Sequence, residues 1–156
     1  MKKVLFVCLG NICRSPMAEA VFNDLVAKEN LADKITSDSA GTANYHVGDA
    51  PDYRTLKLLA HKGIPSNHIG QQFNISHFMA FDYIIPMDKY NYEDILRLTN
   101  EASFKQKVIL MRSFDSEGIN KDVPDPYYGN MSDFEEVYEI LVRSCKKLLD
   151  KIKKEL

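Results

Sequence analysis

The run Lys3-Val4-Leu5-Phe6-Val7-Cys8 is apolar after its first residue and shows no polar alternation. A strand of this kind is buried on both faces, as strands are inside a parallel sheet covered by helices. It ends in Leu9-Gly10-Asn11-Ile12-Cys13-Arg14, after which Met17, Val21, Phe22, Leu25 and Val26 recur at the spacing of one helical face. Ser15 reads as the N-cap of that helix and Pro16 as its first helical residue. A doubly buried strand feeding a helix through a tight loop points the chain to α/β architectures. In these, ligands bind beyond the carboxyl ends of the strands, and here that end is Cys8.

The rest of the chain supplies the partners. Ile35 to Asp38, Phe81 to Ile85 and Lys107 to Met111 are further strand candidates, and Asp52 to Lys62 reads as a helix closed by Gly63. The last helix is the clearest element. Ser132-Asp133-Phe134-Glu135 has capping-box spacing, and Phe134, Val137, Leu141, Cys145, Leu148 and Ile152 step by threes and fours. Strands alternating with helices predict a four-stranded parallel sheet with helices on both faces, a three-layer α/β fold. With 156 residues and no linker, repeat or low-complexity segment, residues 1–156 are expected to form a single domain.

Charge and apolar content exclude several classes. The formal net charge of −2 argues against a dedicated nucleic-acid binder, since such binding draws on a basic surface. Lys146, Lys147, Lys151, Lys153 and Lys154 read as a solvated face that complements the dipole of the last helix. The longest apolar run, Val4 to Leu9, falls far short of the ~20 residues that span a bilayer, and it lacks the marks of a signal peptide. Three cysteines, an odd number, are too few for a disulfide framework. The expectation is a soluble, reduced, cytoplasmic protein.

The loop after the first strand carries the chemistry. A short connection between a buried strand and a helix start turns backbone N–H groups inward and makes an anion nest. Gly10 and Asn11 are the residue types that tolerate the left-handed backbone such a nest uses. Arg14 adds a planar fork for two phosphate oxygens. Cys8 lies at the floor, where cationic surroundings and a helix N-terminus favour the thiolate, and a thiolate beneath a phosphate is poised for in-line attack. A lone cysteine at a strand end is more often a small core residue. The conjunction of cysteine, glycine, asparagine, arginine, serine and proline at one junction favours function instead. No G-x-x-x-x-G-K-[ST] or G-x-G-x-x-G pattern accompanies the loop, so nucleotide binding is not indicated.

Cys8-Leu9-Gly10-Asn11-Ile12-Cys13-Arg14-Ser15-Pro16-Met17-Ala18-Glu19-Ala20 closely resembles the signature of the low-molecular-weight protein tyrosine phosphatases. The resemblance continues through Asp38-Ser39-Ala40-Gly41-Thr42, Phe81-Asp82-Tyr83-Ile84 with Met87-Asp88, and Asp125-Pro126-Tyr127-Tyr128-Gly129. It implies a phosphate loop between strand 1 and helix 1, and hydrolysis of phosphotyrosine in proteins, and of aryl phosphates, through a phosphocysteine intermediate. Cys8 is then the nucleophile, Arg14 the phosphate clamp and Asp125 the general acid. Leu9, Gly10, Asn11, Ile12, Cys13 and Ser15 form the substrate-binding loop, with Ser15 hydrogen-bonding the thiolate, and Tyr45, Tyr127 and Tyr128 are aromatic positions around the pocket. Ser39 and His68 join Asn11 in holding the loop, and Asp88 is structural rather than catalytic. Cys13 is the redox partner of the nucleophile, while Cys145 belongs to the core. Where relatives commonly carry an arginine this chain has Gln71, which puts one local ion pair in doubt.

Two cysteines alone do not supply the four ligands of a zinc site, and no metal or cofactor is expected. The implied partners are tyrosine-phosphorylated proteins, with inorganic phosphate and other oxyanions as inhibitors. Two enzymes of the same fold are alternatives. An arsenate reductase relay needs two further cysteines in the middle of the chain, and there are none between Cys13 and Cys145. A protein arginine phosphatase typically has threonine at the position of Ile12. A phosphotyrosine reader without activity would have lost Cys8, Arg14 or Asp125, and a sugar-transport phosphocarrier of related fold would not need Arg14 together with Asp125.

Overall fold

The computed structural model describes residues 1–156. In chain order the elements are β1 (Lys2–Cys8), α1 (Arg14–Lys28), β2 (Ile35–Gly41), α2 (Tyr53–His61), α3 (Ile75–Ala80), β3 (Tyr83–Pro86), α4 (Lys89–Leu96), α5 (Ala102–Lys105), a 3₁₀ turn (Met111–Phe114) and α6 (Met131–Lys153). The sheet is parallel with β1 at its centre, in the order β2-β1-β3. Alternate side chains of a strand point to opposite faces, and both faces of β1 are apolar. Val4, Phe6 and Cys8 pack with α1 and α6 against Met17, Phe22, Phe134 and Leu148. Leu5 and Val7 pack on the other side with Phe73, Phe78, Ile84 and Ile95. Helices therefore cover both faces of an α/β domain.

The sheet has three strands where four were expected. Val108 makes a single bridge to Ile84, with Ile84 N–H donating to Lys107 O and Ile109 N–H to Ile84 O, both at 2.9 Å. β3 is only four residues long and ends on Pro86, which has no N–H to offer. The Ser113 N–H and hydroxyl both donate to Leu110 O, bending the chain into the 3₁₀ turn and away from the sheet.

Three helix starts also differ from the local signals. α6 is capped by Asn130, whose side chain accepts from Ser132 N–H while Asp133 accepts from Asn130 N–H, so the capping box lies two residues upstream of Ser132. α1 starts at Arg14 behind Cys13, without a side-chain cap, because the Ser15 hydroxyl is used inside the phosphate loop. α2 is capped by Asp52, starts at Tyr53, and stops before Gly63, which has φ +72°. β2 runs on to Gly41, three residues past the expected Asp38, and β3 starts at Tyr83 because Phe81 still bonds α3. No helix is long and apolar enough to cross a membrane.

Candidate active site

The carboxyl end of β1 delivers Cys8, 3% exposed, to the base of the loop. Its Sγ lies 3.0 Å from Ser15 Oγ and accepts the Asn11 N–H at 3.3 Å. The loop's carbonyls face its supports. Thr42 N–H donates to Cys8 O, Ala43 N–H to Leu9 O, Asp52 N–H to Ile12 O and Met17 N–H to Cys13 O, at 2.8–3.2 Å. The N–H groups of Gly10, Ile12, Cys13, Arg14 and Ser15 have no acceptor within the protein, which leaves them to donate to an oxyanion at a helix N-terminus. Asn11 holds the left-handed backbone, with φ 58°; Gly10 does not. A Cβ at position 10 would lie 3.3 Å from His46 Cδ2, a tight contact with a side chain that has room to shift. Gly41 is needed for space, because a Cβ there would meet the backbone Leu9 O at 2.7 Å.

Asn11 is the hub that keeps this shape. Its amide donates to Ser15 Oγ at 2.8 Å and Ser39 Oγ at 3.0 Å, and its carbonyl accepts from Gln71 N–H at 3.0 Å and lies 2.7 Å from His68 Nε2. The other nitrogen of His68 lies 3.0 Å from Glu19 and 3.5 Å from Asp38. Burial opposes charge on this imidazole, but the two carboxylates outweigh it and raise the pKa from 6.5 to about 9. The imidazolium therefore donates from both nitrogens, which fixes Asn11 with its carbonyl toward His68. Gln71, where the resemblance led to an arginine, donates to Asp38 Oδ2 and Ser39 O, each at 3.0 Å. A group titrating near 9 when folded and near 6.5 when unfolded gives stability that is complete below pH 6.5 and fades as pH rises through 9. Urea midpoints should fall across that window, by on the order of 3 kcal/mol in stability, and a His68→Asn variant should lose most of this dependence.

Glu19, Asp38 and His68 bring ligand atoms within 4.8 Å of one another, a spacing that could suit a metal ion. The protonated imidazole already satisfies both carboxylates, so the cluster is complete as an ion-pair network.

Arg14 approaches from the start of α1. Its Nη1 donates to Asp88 Oδ2 at 2.7 Å and to Val123 O at 3.0 Å, while Nη2 stands 3.9 Å from Asp125 Oδ2. Burial works against the charge, but Cys8, Asp88 and Asp125 around it more than compensate. Asp88 serves two elements at once, since its Oδ1 accepts the Asn91 N–H and caps α4. Asp125 sits between Pro124 and Pro126 with its side chain 45% exposed and its Oδ1 accepting the Tyr127 N–H at 3.1 Å. Cys13 is a neutral thiol: burial, then the charges of Asp52, Cys8 and Asp125, push its pKa to about 12.

These groups meet in one cleft of about 330 Å³, lined by Cys8, Leu9, Gly10, Ile12, Cys13, Arg14, Asp125 and the three aromatic side chains Tyr45, Tyr127 and Tyr128. The rings of Tyr127 and Tyr128 meet edge to face at 4.9 Å, with Tyr128 94% exposed. The side chains of Asn11 and Ser15 lie behind the loop rather than in the cleft, with Ser39 and His68 beside them. His46 also lines the cleft, its Nδ1 3.2 Å from Asp49, and nothing in the sequence marked it. Glu19 and Arg54 were given no role by the sequence, because the Glu19–His68 pair and the bonds from Arg54 to Tyr127 O and Gly129 O join distant positions and leave no periodic trace. A cysteine over free N–H donors, an arginine and a carboxylate at the mouth can bind a phosphate ester, attack it and protonate its leaving group.

The family model for low molecular weight phosphotyrosine protein phosphatase matches residues 3–156. A human protein named low molecular weight phosphotyrosine protein phosphatase is 46% identical over 151 residues, covering 96% of this chain and 95% of its own. The crystal structure of a protein tyrosine phosphatase from Entamoeba histolytica, with Hepes in its active site, superposes with a TM-score of 0.95 at 40% identity, covering 99% of both chains. A Drosophila arginine phosphatase superposes at 0.88 with 37% identity, covering 98% of both. Matched from end to end in sequence and in fold, with the cysteine, arginine and aspartate of the signature gathered in one cleft, the chain belongs to the low molecular weight phosphotyrosine protein phosphatase family.

Proposed function

We propose that this chain, acting as one domain over residues 1–156, hydrolyses phosphotyrosine in proteins, and aryl phosphates generally, through a phosphocysteine. The observation that carries the reading is the meeting of Cys8, Arg14 and Asp125 in a single aromatic-walled cleft. The phosphate is held by the free loop N–H groups and the Arg14 guanidinium, which also take up the charge of the transition state. The Cys8 sulfur, reacting as the thiolate with the Ser15 hydroxyl and the Asn11 N–H as its hydrogen-bond partners, attacks phosphorus. The phosphorus–oxygen bond to the ring breaks as Asp125 hands its proton to the departing phenolate oxygen. The Asp125 carboxylate then takes a proton from water, the water oxygen bonds phosphorus, and the phosphorus–sulfur bond breaks to release inorganic phosphate and the thiolate. Side chains and water supply every step, and phosphate and similar oxyanions compete for the cradle.

Ring recognition falls to Tyr45, Tyr127 and Tyr128, with Leu9 and Ile12 adding apolar surface. The aromatic walls above the buried Cys8 favour a phosphate carried on a flat ring over one carried on a short aliphatic side chain. Cys145 is wholly buried in α6 and cannot serve a cysteine relay of the arsenate reductase kind. Cys13 lines the same cleft as Cys8 and is read as its resolving partner after oxidation, although its raised pKa slows the attack; peptide mapping of peroxide-treated protein would reveal the pairing as a Cys8–Cys13 disulfide. The test of the activity is phosphate release from matched phosphotyrosine, phosphoserine and phosphoarginine peptides in the presence of chelator. Phosphotyrosine should be cleaved at least about a hundredfold faster than the other two; preference for phosphoarginine would transfer the chain to the arginine-directed activity.

A further inference from the structure

The carboxylate that protonates the leaving group rides on a segment without strand or helix, and Arg14 does not pin it: their separation of 3.9 Å is beyond hydrogen-bonding distance. Another arginine does hold that segment. The Arg54 fork grips Asp52 on one side, Nε to Oδ1 and Nη2 to Oδ2, both at 3.0 Å. On the other side Nη2 donates to Tyr127 O at 2.8 Å and Nη1 to Gly129 O at 3.1 Å. The guanidinium carbon stands 4.5 Å from the Phe134 ring centre and 5.6 Å from that of Tyr127. Tyr127 is thereby fixed at both ends, its N–H on Asp125 and its carbonyl on Arg54. Asp52 is in turn tied to the phosphate loop, its N–H donating to Ile12 O at 2.8 Å.

We propose that Arg54 is the positioning residue for the general acid, a clamp that sets the height of Asp125 above the phosphate by joining the Asp125–Gly129 segment to the phosphate loop through Asp52. Arg54 does not line the cleft. The Asp52–Arg54 pair stays charged, each partner's hydrogen bonds stabilising the ionised form of the other. Only a planar fork with several donors reaches a carboxylate and two carbonyls together, so lysine cannot replace it.

The proposal rests on the phosphatase reading and has its own signature. Protonation matters most when the departing phenolate is a strong base, so a misplaced acid makes the rate depend steeply on the leaving group. kcat/KM for phenyl phosphate and 4-nitrophenyl phosphate is to be measured in wild type, Arg54→Ala and Arg54→Lys, with the inhibition constant of inorganic phosphate beside it. Both variants should lose on the order of 10–100-fold on phenyl phosphate, at least about tenfold more than on 4-nitrophenyl phosphate. Phosphate inhibition should stay within about twofold, because the cradle is intact. Arg54→Lys keeps a cation over Phe134 and carries the test if Arg54→Ala fails to fold. Equal losses on both esters, or full activity in Arg54→Lys, would overturn the clamp while leaving the phosphatase standing. A wild-type chain that cleaves neither ester would overturn both.

Discussion

Cys8→Ser should have no measurable turnover of aryl phosphates, a loss of at least about 10⁴-fold, while still binding inorganic phosphate. The serine hydroxyl is a poor nucleophile at neutral pH, and the site holds no base aimed at it, since Ser15 and the Asn11 N–H both act as hydrogen-bond partners of the sulfur. The cradle should survive the change. Its free N–H groups belong to Gly10, Ile12, Cys13, Arg14 and Ser15, and Asn11 fixes the loop through contacts that do not involve sulfur. Phosphate should therefore raise the melting temperatures of the variant and of the wild type alike. Turnover above about 1% of wild type, measured with chelator, would remove the phosphocysteine from the mechanism.

Asp125→Asn should lower kcat/KM for phenyl phosphate by ~10²–10⁴-fold, because the amide cannot deliver a proton to the phenolate oxygen. The side-chain oxygen that accepts the Tyr127 N–H is retained, so the segment keeps its fold and the comparison isolates the proton. A second effect follows from the later step, in which the same carboxylate activates water. With 4-nitrophenyl phosphate, whose leaving group needs little help, the phosphocysteine should persist long enough to be trapped at low pH and located on Cys8 by mass spectrometry. An unchanged rate on both esters would assign the acid elsewhere.

The parts of this site that the sequence made legible are local. Val4 to Cys8 announces a doubly buried strand because neither face carries a polar residue, and the loop after it concentrates its chemistry within a few consecutive positions. Asp125 is different. Two prolines mark a turn there, but only the family resemblance connected it with Cys8, since spacing along a chain does not encode which loops meet. The Asp88–Arg14 pair and the Glu19–His68 contact were out of reach for the same reason, and His68 was joined to Asn11 only through the resemblance. The capping box of α6 forms at Asn130 and Asp133 rather than at Ser132 and Glu135, although both pairs have the spacing. Lys107 to Met111 has the composition of a strand but meets a short neighbour ending in proline, so one bridge forms and the ladder stops.

β1 carries Cys8, the proposed nucleophile, at the end of the central strand, paired on both sides and covered on both faces. Asp125, the proposed acid, rides on a stretch held by turns and by side chains reaching across to it. The two halves of the proposed catalytic pair therefore belong to different levels of cooperativity. A thermal fluctuation that exposes β1 must take the whole sheet apart, whereas one that lifts the acid has only a few bonds to break. The enzyme has a permanent anvil and a hammer that can be swung aside, and on warming, anion capture should outlast the chemistry it serves.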